Sequence, residues 1–191
     1  MMSATAGASS VDVRGLVSPA YLETQKVLHA KPEGYGGKGS RWASTVLAVA
    51  QQYDCGSILD YGCGRGSLGD AIQKATGTRC REYDPAIPGK DGQPAFADLV
   101  VATDVLEHVE PEQLSKTLRV LRGLARRAVF VVICTRPSNK TLPDGRNAHL
   151  IVEPDAWWQA QCEAAGFTVH KAPIQHPVKL PAKAWIAVLE P

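Results

Sequence analysis

Residues 58–72 read ILDYGCGRGSLGDAI. An apolar run leads into three glycines spaced two apart, Gly62, Gly64 and Gly66, and a run with helical spacing leads out. Glycine has no Cβ, so a chain passing through such positions reaches positive φ and lets a ligand approach the backbone closely. A strand that turns through glycines into a helix sets this approach at the carboxyl end of a strand. In open α/β sheets that end is the ligand edge. Ser67 and Asp70, three residues apart, have the spacing of a capping box for the helix, with Leu68, Ile72 and Ala75 on its buried face.

The rest of the chain repeats this alternation. Ser18 followed by Pro19 signals a helix start, and Tyr21, Leu22, Gln25 and Leu28 follow at helical spacing. Ser40 is placed to cap a second helix whose apolar face is Trp42, Val46, Val49 and Ala50. Strands are expected over residues 57–61, 79–83 and 98–103. Pro111 opens a helix carrying Leu114, Leu118, Leu121 and Leu124. Residues 128–135 form a continuous β-branched run, the pattern of a strand covered on both faces. A helix over 155–165 ends at Gly166, and strands over 168–171 and 184–189 follow. Together these predict an α/β Rossmann-like three-layer sandwich with a mostly parallel sheet. Asp84, Asp104 and the loop after Thr135 all follow strands, so they converge on the edge that holds the glycine run.

With 191 residues the chain is long enough for one domain with a real core. We divide it into an expected disordered tail (1–10), N-terminal helices with a glycine-rich lid (11–54) and a core (55–191). The formal net charge of +2 gives no global field calling for nucleic acid. The N-terminus lacks the pattern of a secretory signal. The longest apolar run, 128–134, is far too short to span a bilayer. Cys55, Cys63, Cys80, Cys134 and Cys162 are scattered and form no CxxC pair, so neither a disulfide framework nor a zinc site is indicated. A reducing cytoplasm fits them.

The glycine run lacks the lysine of a phosphate-binding P-loop, and Ser67 stands where a dinucleotide fingerprint needs its third glycine. It reads instead as DxGxGxG, starting at Asp60. An acid at the strand end suits a ligand with an ammonium group. Asp84, twenty residues beyond Gly64, stands where an acid accepts from ribose hydroxyls. A ribose without a bound phosphate, joined to an amino-acid end, describes S-adenosyl-L-methionine.

LDYGCGRGSL resembles motif I of the class I S-adenosylmethionine-dependent methyltransferases. ADLVVATDVLEHV resembles their fourth strand and the loop after it, and AWWQAQCEAAGFTV their late helix and strand. The resemblance spans roughly residues 55–190. It implies that Asp60, Gly62, Cys63, Gly64 and Gly66 surround the methionine part of the cofactor, that Asp84 binds the ribose, and that Thr103, Asp104 and Val105 line the cofactor beyond. It also implies a seven-stranded sheet whose last strand is antiparallel and inserted beside the fifth. Only thirteen residues separate Asp84 from Asp98. They cannot hold the usual helix and strand, so we expect a sheet trimmed around its third strand. Asp91 is a weak candidate for the adenine partner.

Methyl transfer from a sulfonium is an in-line displacement that needs alignment and, for some acceptors, a base. The sequence lacks the acid-proline-proline-aromatic motif of amino-directed DNA methyltransferases and the cysteine of cytosine-C5 enzymes. A small or polyhydroxyl, sugar-like acceptor is the expectation, and nucleic acid is not favoured. The segment TRPSNKTLPDGRNAH, residues 135–149, turns at Pro143-Asp144-Gly145 and carries Arg136, Lys140, Arg146 and Asn147 as candidate acceptor ligands. His149 is the candidate general base. The same pattern fits a solvated loop in which His149 caps a turn or packs against Trp157 or Trp158. Trp158 is expected to be buried and Trp157 to face the pocket. Tyr35, Gly36, Gly37 and Trp42 fit either a lid over the cofactor or a plain surface loop. Two other readings stay open. Asp104, Glu107, His108 and His149 resemble the metal cluster of small-RNA 2′-O-methyltransferases, although Asp stands for the first Glu, and our expectation is no resident metal. The chain also fits a cofactor-binding partner subunit without activity.

Overall fold

The computed structural model describes residues 11–30, 36–173 and 183–191. The expected tail, Tyr35 of the proposed lid, and the prolines at 177 and 181 lie outside them. The chain runs α1 (Pro19–Ala30), a 3-10 turn (Gly39–Trp42), α2 (Ala43–Gln52), β1 (Ile58–Tyr61), α3 (Ser67–Thr76), β2 (Arg81–Tyr83), β3 (Ala97–Thr103), α4 (Leu114–Leu124), β4 (Ala125–Cys134), α5 (Asp155–Ala164), β5 (Thr168–Lys171) and β6 (Ala184–Glu190). The strands form one sheet in the order β2-β1-β3-β4-β6-β5. β1 pairs in parallel with β2 and β3, and β3 with β4. β6 is antiparallel to both β4 and β5. The expected terminal hairpin is therefore present, with the last strand inserted beside β4.

The two faces of the sheet explain the uninterrupted apolar runs. Along β4, Val129, Val131 and Ile133 join one core cluster while Ala128, Phe130 and Val132 join the other. β3 alternates likewise, Val100 and Ala102 against Leu99 and Val101. Leu118, Leu121 and Leu124 of α4 and Trp158 and Cys162 of α5 cover the first face. Val46 and Val49 of α2 and Leu68 and Ile72 of α3 cover the second. A run with no polar member is what a strand buried on both sides requires. β4 begins three residues earlier than its apolar run, at Ala125. A register shift against β3 there leaves Arg126 and Arg127 exposed.

The trimmed edge is present as expected. Between Asp84 and Phe96 the chain makes turns and no helix or strand, leaving β2 as the edge strand among the described residues. The turns are closed locally, with the Asp84 N–H donating to Lys90 O and the Lys90 N–H to Ile87 O.

Three local expectations need correction. Ser67 is not the N-cap of α3. Gly66 occupies that position at φ 83, no side chain caps the helix, and Asp70 N–H donates to Gly66 O at 3.0 Å. Ser40 likewise does not cap α2, because a 3-10 turn intervenes and Ser40 lies inside it. Trp42 is no lid. It is fully buried, edge-on to Phe130 at 6.1 Å between ring centroids. Ser18 does cap α1, since its Oγ accepts from Tyr21 N–H at 3.2 Å.

Candidate active site

The glycine run is held by the end of β2. Tyr83 O accepts from Gly62 N–H at 2.7 Å and from Cys63 N–H at 3.1 Å. Asp84 bridges two segments: its Oδ2 accepts from Gly64 N–H and its Oδ1 from Ala86 N–H, each at 2.9 Å. Gly62 and Gly64 are required by close approach. A Cβ on Gly62, at φ 73, would lie 2.6 Å from Val105 Cγ2, and one on Gly64, at φ 51, would lie 2.5 Å from Gly36 O. Gly66 points elsewhere, toward the Glu82–Lys90 ion pair. Asp60 is almost completely buried. Burial, helped by the Glu82 charge, pushes its carboxyl up to about 7. Burial also pushes the Cys63 thiol up, so it is not a thiolate nucleophile near neutral pH.

The end of β3 supplies a second group. Asp104 has φ 56, and its N–H donates to Val132 O at 2.8 Å. A short 3-10 turn, Leu106–His108, follows. Glu107 is fully buried: Oε1 accepts from Cys134 N–H at 3.0 Å, while Oε2 has no hydrogen-bond partner. Burial first, then the Asp104 charge, pushes its carboxyl up to about 8. His108 Nδ1 lies 2.6 Å from Ala148 O, and His149 Nδ1 lies 2.6 Å from Arg136 O. A carbonyl only accepts, so in both rings Nδ1 carries the proton and Nε2 the lone pair. The two rings meet edge to face at 4.8 Å. Burial, with the neighbouring His149, depresses His108 to about 4, so it is neutral at physiological pH.

The loop after β4 folds on itself. Asn147 Oδ1 accepts from Ser138 N–H and His149 N–H, and its Nδ2 donates to Ser138 O, each at 2.9 Å. Its amide is thus committed to loop structure. Arg146 pairs with Asp144 at 2.7 Å and lies over the Tyr21 ring at 5.6 Å. Neither Asn147 nor Arg146 lines the cavity described next, contrary to their expected acceptor role. Tyr21, Leu28, Leu142 and Ala148 form a small core joining α1 to this loop. Tyr21 Oη donates to His108 O at 2.7 Å, and Glu110 accepts from both Ser18 N–H and Ser18 Oγ at 2.7 Å.

These elements enclose a cavity of about 460 Å³, in the range of small-molecule sites. Asp60, Gly62, Cys63, Asp84, Thr103, Asp104 and Val105 line it, as do His149, Arg136 and Lys140 from the loop. Gly64 and Gly66 do not, because they face Gly36 and Glu82. Asp91 does not either: it is exposed and accepts from Gly89 N–H at 3.1 Å, while Pro85 and Ala86 face the cavity on that side. Gly36 and Gly37 of the proposed lid line it. Trp157 does not, being packed edge-on against Trp158 at the core. Sequence reasoning missed a wall made by Leu16 and Val17, just before α1, and by Tyr21 and Leu22 of α1, and it missed Arg41. Helical periodicity marked Tyr21 and Leu22 as part of one face but gave no sign of what that face covers.

The donor set fits S-adenosylmethionine. It offers a bare glycine backbone, buried or half-buried acids in place of a phosphate-binding lysine, and an acid at the end of β2. No protein-family model and no curated protein matches the chain. Solved structures do. A 1,6-didemethyltoxoflavin-N1-methyltransferase from Burkholderia thailandensis, with bound 1,6-didemethyltoxoflavin and S-adenosylhomocysteine, is 18% identical over 95% of this chain and 93% of its own, with a TM-score of 0.62. The magnesium protoporphyrin IX methyltransferase of Synechocystis PCC 6803 with bound S-adenosylhomocysteine gives 15% identity, coverage of 90% and 94%, and a TM-score of 0.54. The methyltransferase domain of bacterial-CtHen1-CN gives 17%, 78% and 97%, and 0.54. The fold is that of the class I S-adenosylmethionine-dependent methyltransferases. No helix among the described residues is long and apolar enough to cross a membrane.

Proposed function

We propose that the protein is an S-adenosylmethionine-dependent methyltransferase acting on a small, hydroxyl-bearing acceptor. One observation carries this reading: the glycine cradle with Asp60 and Asp84 opens on the same cavity as His149, Arg136 and Lys140. The residues implied for the cofactor and a histidine thus line one cavity. Asp60, Gly62, Cys63, Asp84, Thr103 and Val105 hold the cofactor, and Gly64 and Gly66 shape the loop that does so. Bound there, S-adenosylmethionine supplies a methyl group activated on a sulfonium. The wall of Leu16, Val17, Tyr21 and Leu22 packs against the apolar part of the acceptor. Arg136 and Lys140 hold its anionic or hydroxyl groups. His149 Nε2, with Nδ1–H fixed on Arg136 O, takes the acceptor proton as the new bond forms. Arg146 and Asn147 act on the acceptor through Tyr21 and through the loop, respectively.

The test is a screen of sugars, phenols and other small hydroxyl compounds with methyl-labelled cofactor. Transfer to at least one small compound is expected. Cofactor binding with no transfer to any small compound, but transfer to an RNA 3′ end, would favour the second reading.

That second reading is a metal-assisted RNA 2′-O-methyltransferase. One ligand atom each from Glu107, His108 and His149 lie within 4.8 Å of one another, and Glu107 Oε2 is buried without a hydrogen-bond partner. The first reading is favoured because Asp104 stands where the resemblance has the first ligating Glu and, with no ligand bound, pairs with Arg41 at 2.6 Å. Elemental analysis of the purified protein is expected to find no stoichiometric Mn, Mg or Zn. One equivalent that is lost in His108→Ala would reverse this preference.

A further inference from the structure

A pair of opposite charges lines the cavity. Arg41 Nη2 lies 2.6 Å from Asp104 Oδ2, and both residues line the cavity. The side chains keep 35% and 34% of their surface exposed, so the pair is not sealed inside the protein. Arg41 belongs to the 3-10 turn that sits on the start of α3. Ser40 N–H donates to Ser67 Oγ at 3.3 Å, and a Cβ on Gly39 would lie 3.0 Å from Leu68 Cβ. The Arg41 guanidinium lies 5.4 Å from the ring centroid of buried Trp42. Asp104 is fixed from the other side by its N–H on Val132 O. The pair therefore links two independently anchored backbones.

We propose that this pair is the clamp for the amino-acid end of the cofactor, with Arg41 receiving its carboxylate and Asp104 its ammonium. The proposal rests on the S-adenosylmethionine reading of the site. Asp84 and Asp104 line the cavity near the glycine loop, with buried Asp60, raised to about 7, beside them. Acids there suit the ammonium and the sulfonium but repel the carboxylate. Arg41 answers that repulsion with a planar fork that binds a carboxylate through two parallel hydrogen bonds. Arg136 and Lys140 arise from the loop after β4 and serve the acceptor side. In the cofactor-free protein the two charges satisfy each other. A zwitterion entering between them replaces one ion pair by two and leaves no charge unpaired.

The test compares S-adenosylmethionine with its decarboxylated form, which keeps the sulfonium and the ammonium and lacks only the carboxylate. Both are titrated calorimetrically into the full chain and into Arg41→Ala, Arg41→Lys and Lys38→Ala. Lys38 stands on the same strap and also lines the cavity, so its loss removes the same charge nearby. The wild type is expected to prefer the intact cofactor by roughly tenfold or more, the scale of a charge-assisted hydrogen bond. Arg41→Ala should erase that preference by weakening the intact cofactor alone. Arg41→Lys should keep part of it, and Lys38→Ala all of it. Asp104→Asn should weaken both ligands, since both carry the ammonium. Equal weakening of the two ligands by Arg41→Ala, or an undiminished preference in it, would overturn the clamp while leaving the cofactor reading intact. If neither ligand binds the wild type, the cofactor reading fails, and the clamp with it.

Discussion

Gly36 and Gly64 meet backbone to backbone. Gly36 O accepts from Arg65 N–H at 3.0 Å, and a Cβ on Gly64 would fall 2.5 Å from that oxygen and 2.8 Å from Gly36 Cα. The N-terminal strap is thereby laid directly on the glycine loop, and the cavity gains a wall that residues 55–191 do not supply. Gly64→Ala tests this contact. The alanine meets backbone atoms that cannot swing aside, at a φ of 51 that L residues disfavour. We expect a stability loss of about 1 kcal/mol or more together with weakened cofactor binding. Thermal unfolding and calorimetry check the two effects. A variant with wild-type Tm and wild-type affinity would detach the strap from the site.

Tyr21 ties α1 to the site through one hydroxyl on His108 O. Tyr21→Phe keeps the ring under Arg146 and removes the hydroxyl that bonds His108 O. The expected cost is about 0.5–1.5 kcal/mol in denaturant unfolding, the usual net worth of such a bond. No measurable change would mean that this hydroxyl does not help to hold α1 on the site.

Glu107 has a pH signature. Its folded-state carboxyl is raised to about 8 from an ordinary 4.5, mainly by burial. Between those values the folded protein binds more protons than the unfolded chain, so this group makes stability fall as pH rises. Glu107→Gln cannot ionise and escapes that loss. The Tm of the variant minus that of the wild type should therefore climb from pH 5 to pH 8. A difference that is flat with pH would mean that Glu107 titrates as an ordinary exposed acid.

His149 and Arg146 separate chemistry from scaffolding. If His149 Nε2 takes the acceptor proton, His149→Ala should leave cofactor affinity nearly unchanged. Turnover should fall on the order of a hundredfold near neutral pH, and less at high pH where the acceptor ionises unaided. Arg146→Ala should show a milder loss, mainly as a raised acceptor KM with little pH dependence, because Arg146 acts through the Tyr21 ring. Full turnover by His149→Ala would make this histidine a structural part of the loop.

The sheet was legible because its signals are local and redundant. The run at 128–134 has no polar member, and the structure splits its side chains between two core clusters. The shortfall of residues between Asp84 and Asp98, set against the helix and strand that the resemblance implies there, foretold the trimmed edge. The capping of α3 was misread by one residue, because spacing cannot tell that Gly66 takes the N-cap at positive φ while Ser67 enters the helix. In the loop, residue type marked Arg136, Lys140, Arg146 and Asn147 alike as donors. Only the fold shows that Asn147 turns inward on Ser138 and that Arg146 covers Tyr21. The α1 wall was illegible for a similar reason. Its contacts with Glu110 and His108 join residues about ninety positions apart, and no periodicity reports a contact at that separation.

Calorimetric titration of the purified protein with S-adenosylmethionine, S-adenosylhomocysteine and NAD tests the central claim most directly. Saturable binding of the first two at a single site, with no heat from NAD, is the predicted result. Tight binding of NAD with no response to S-adenosylmethionine would contradict it.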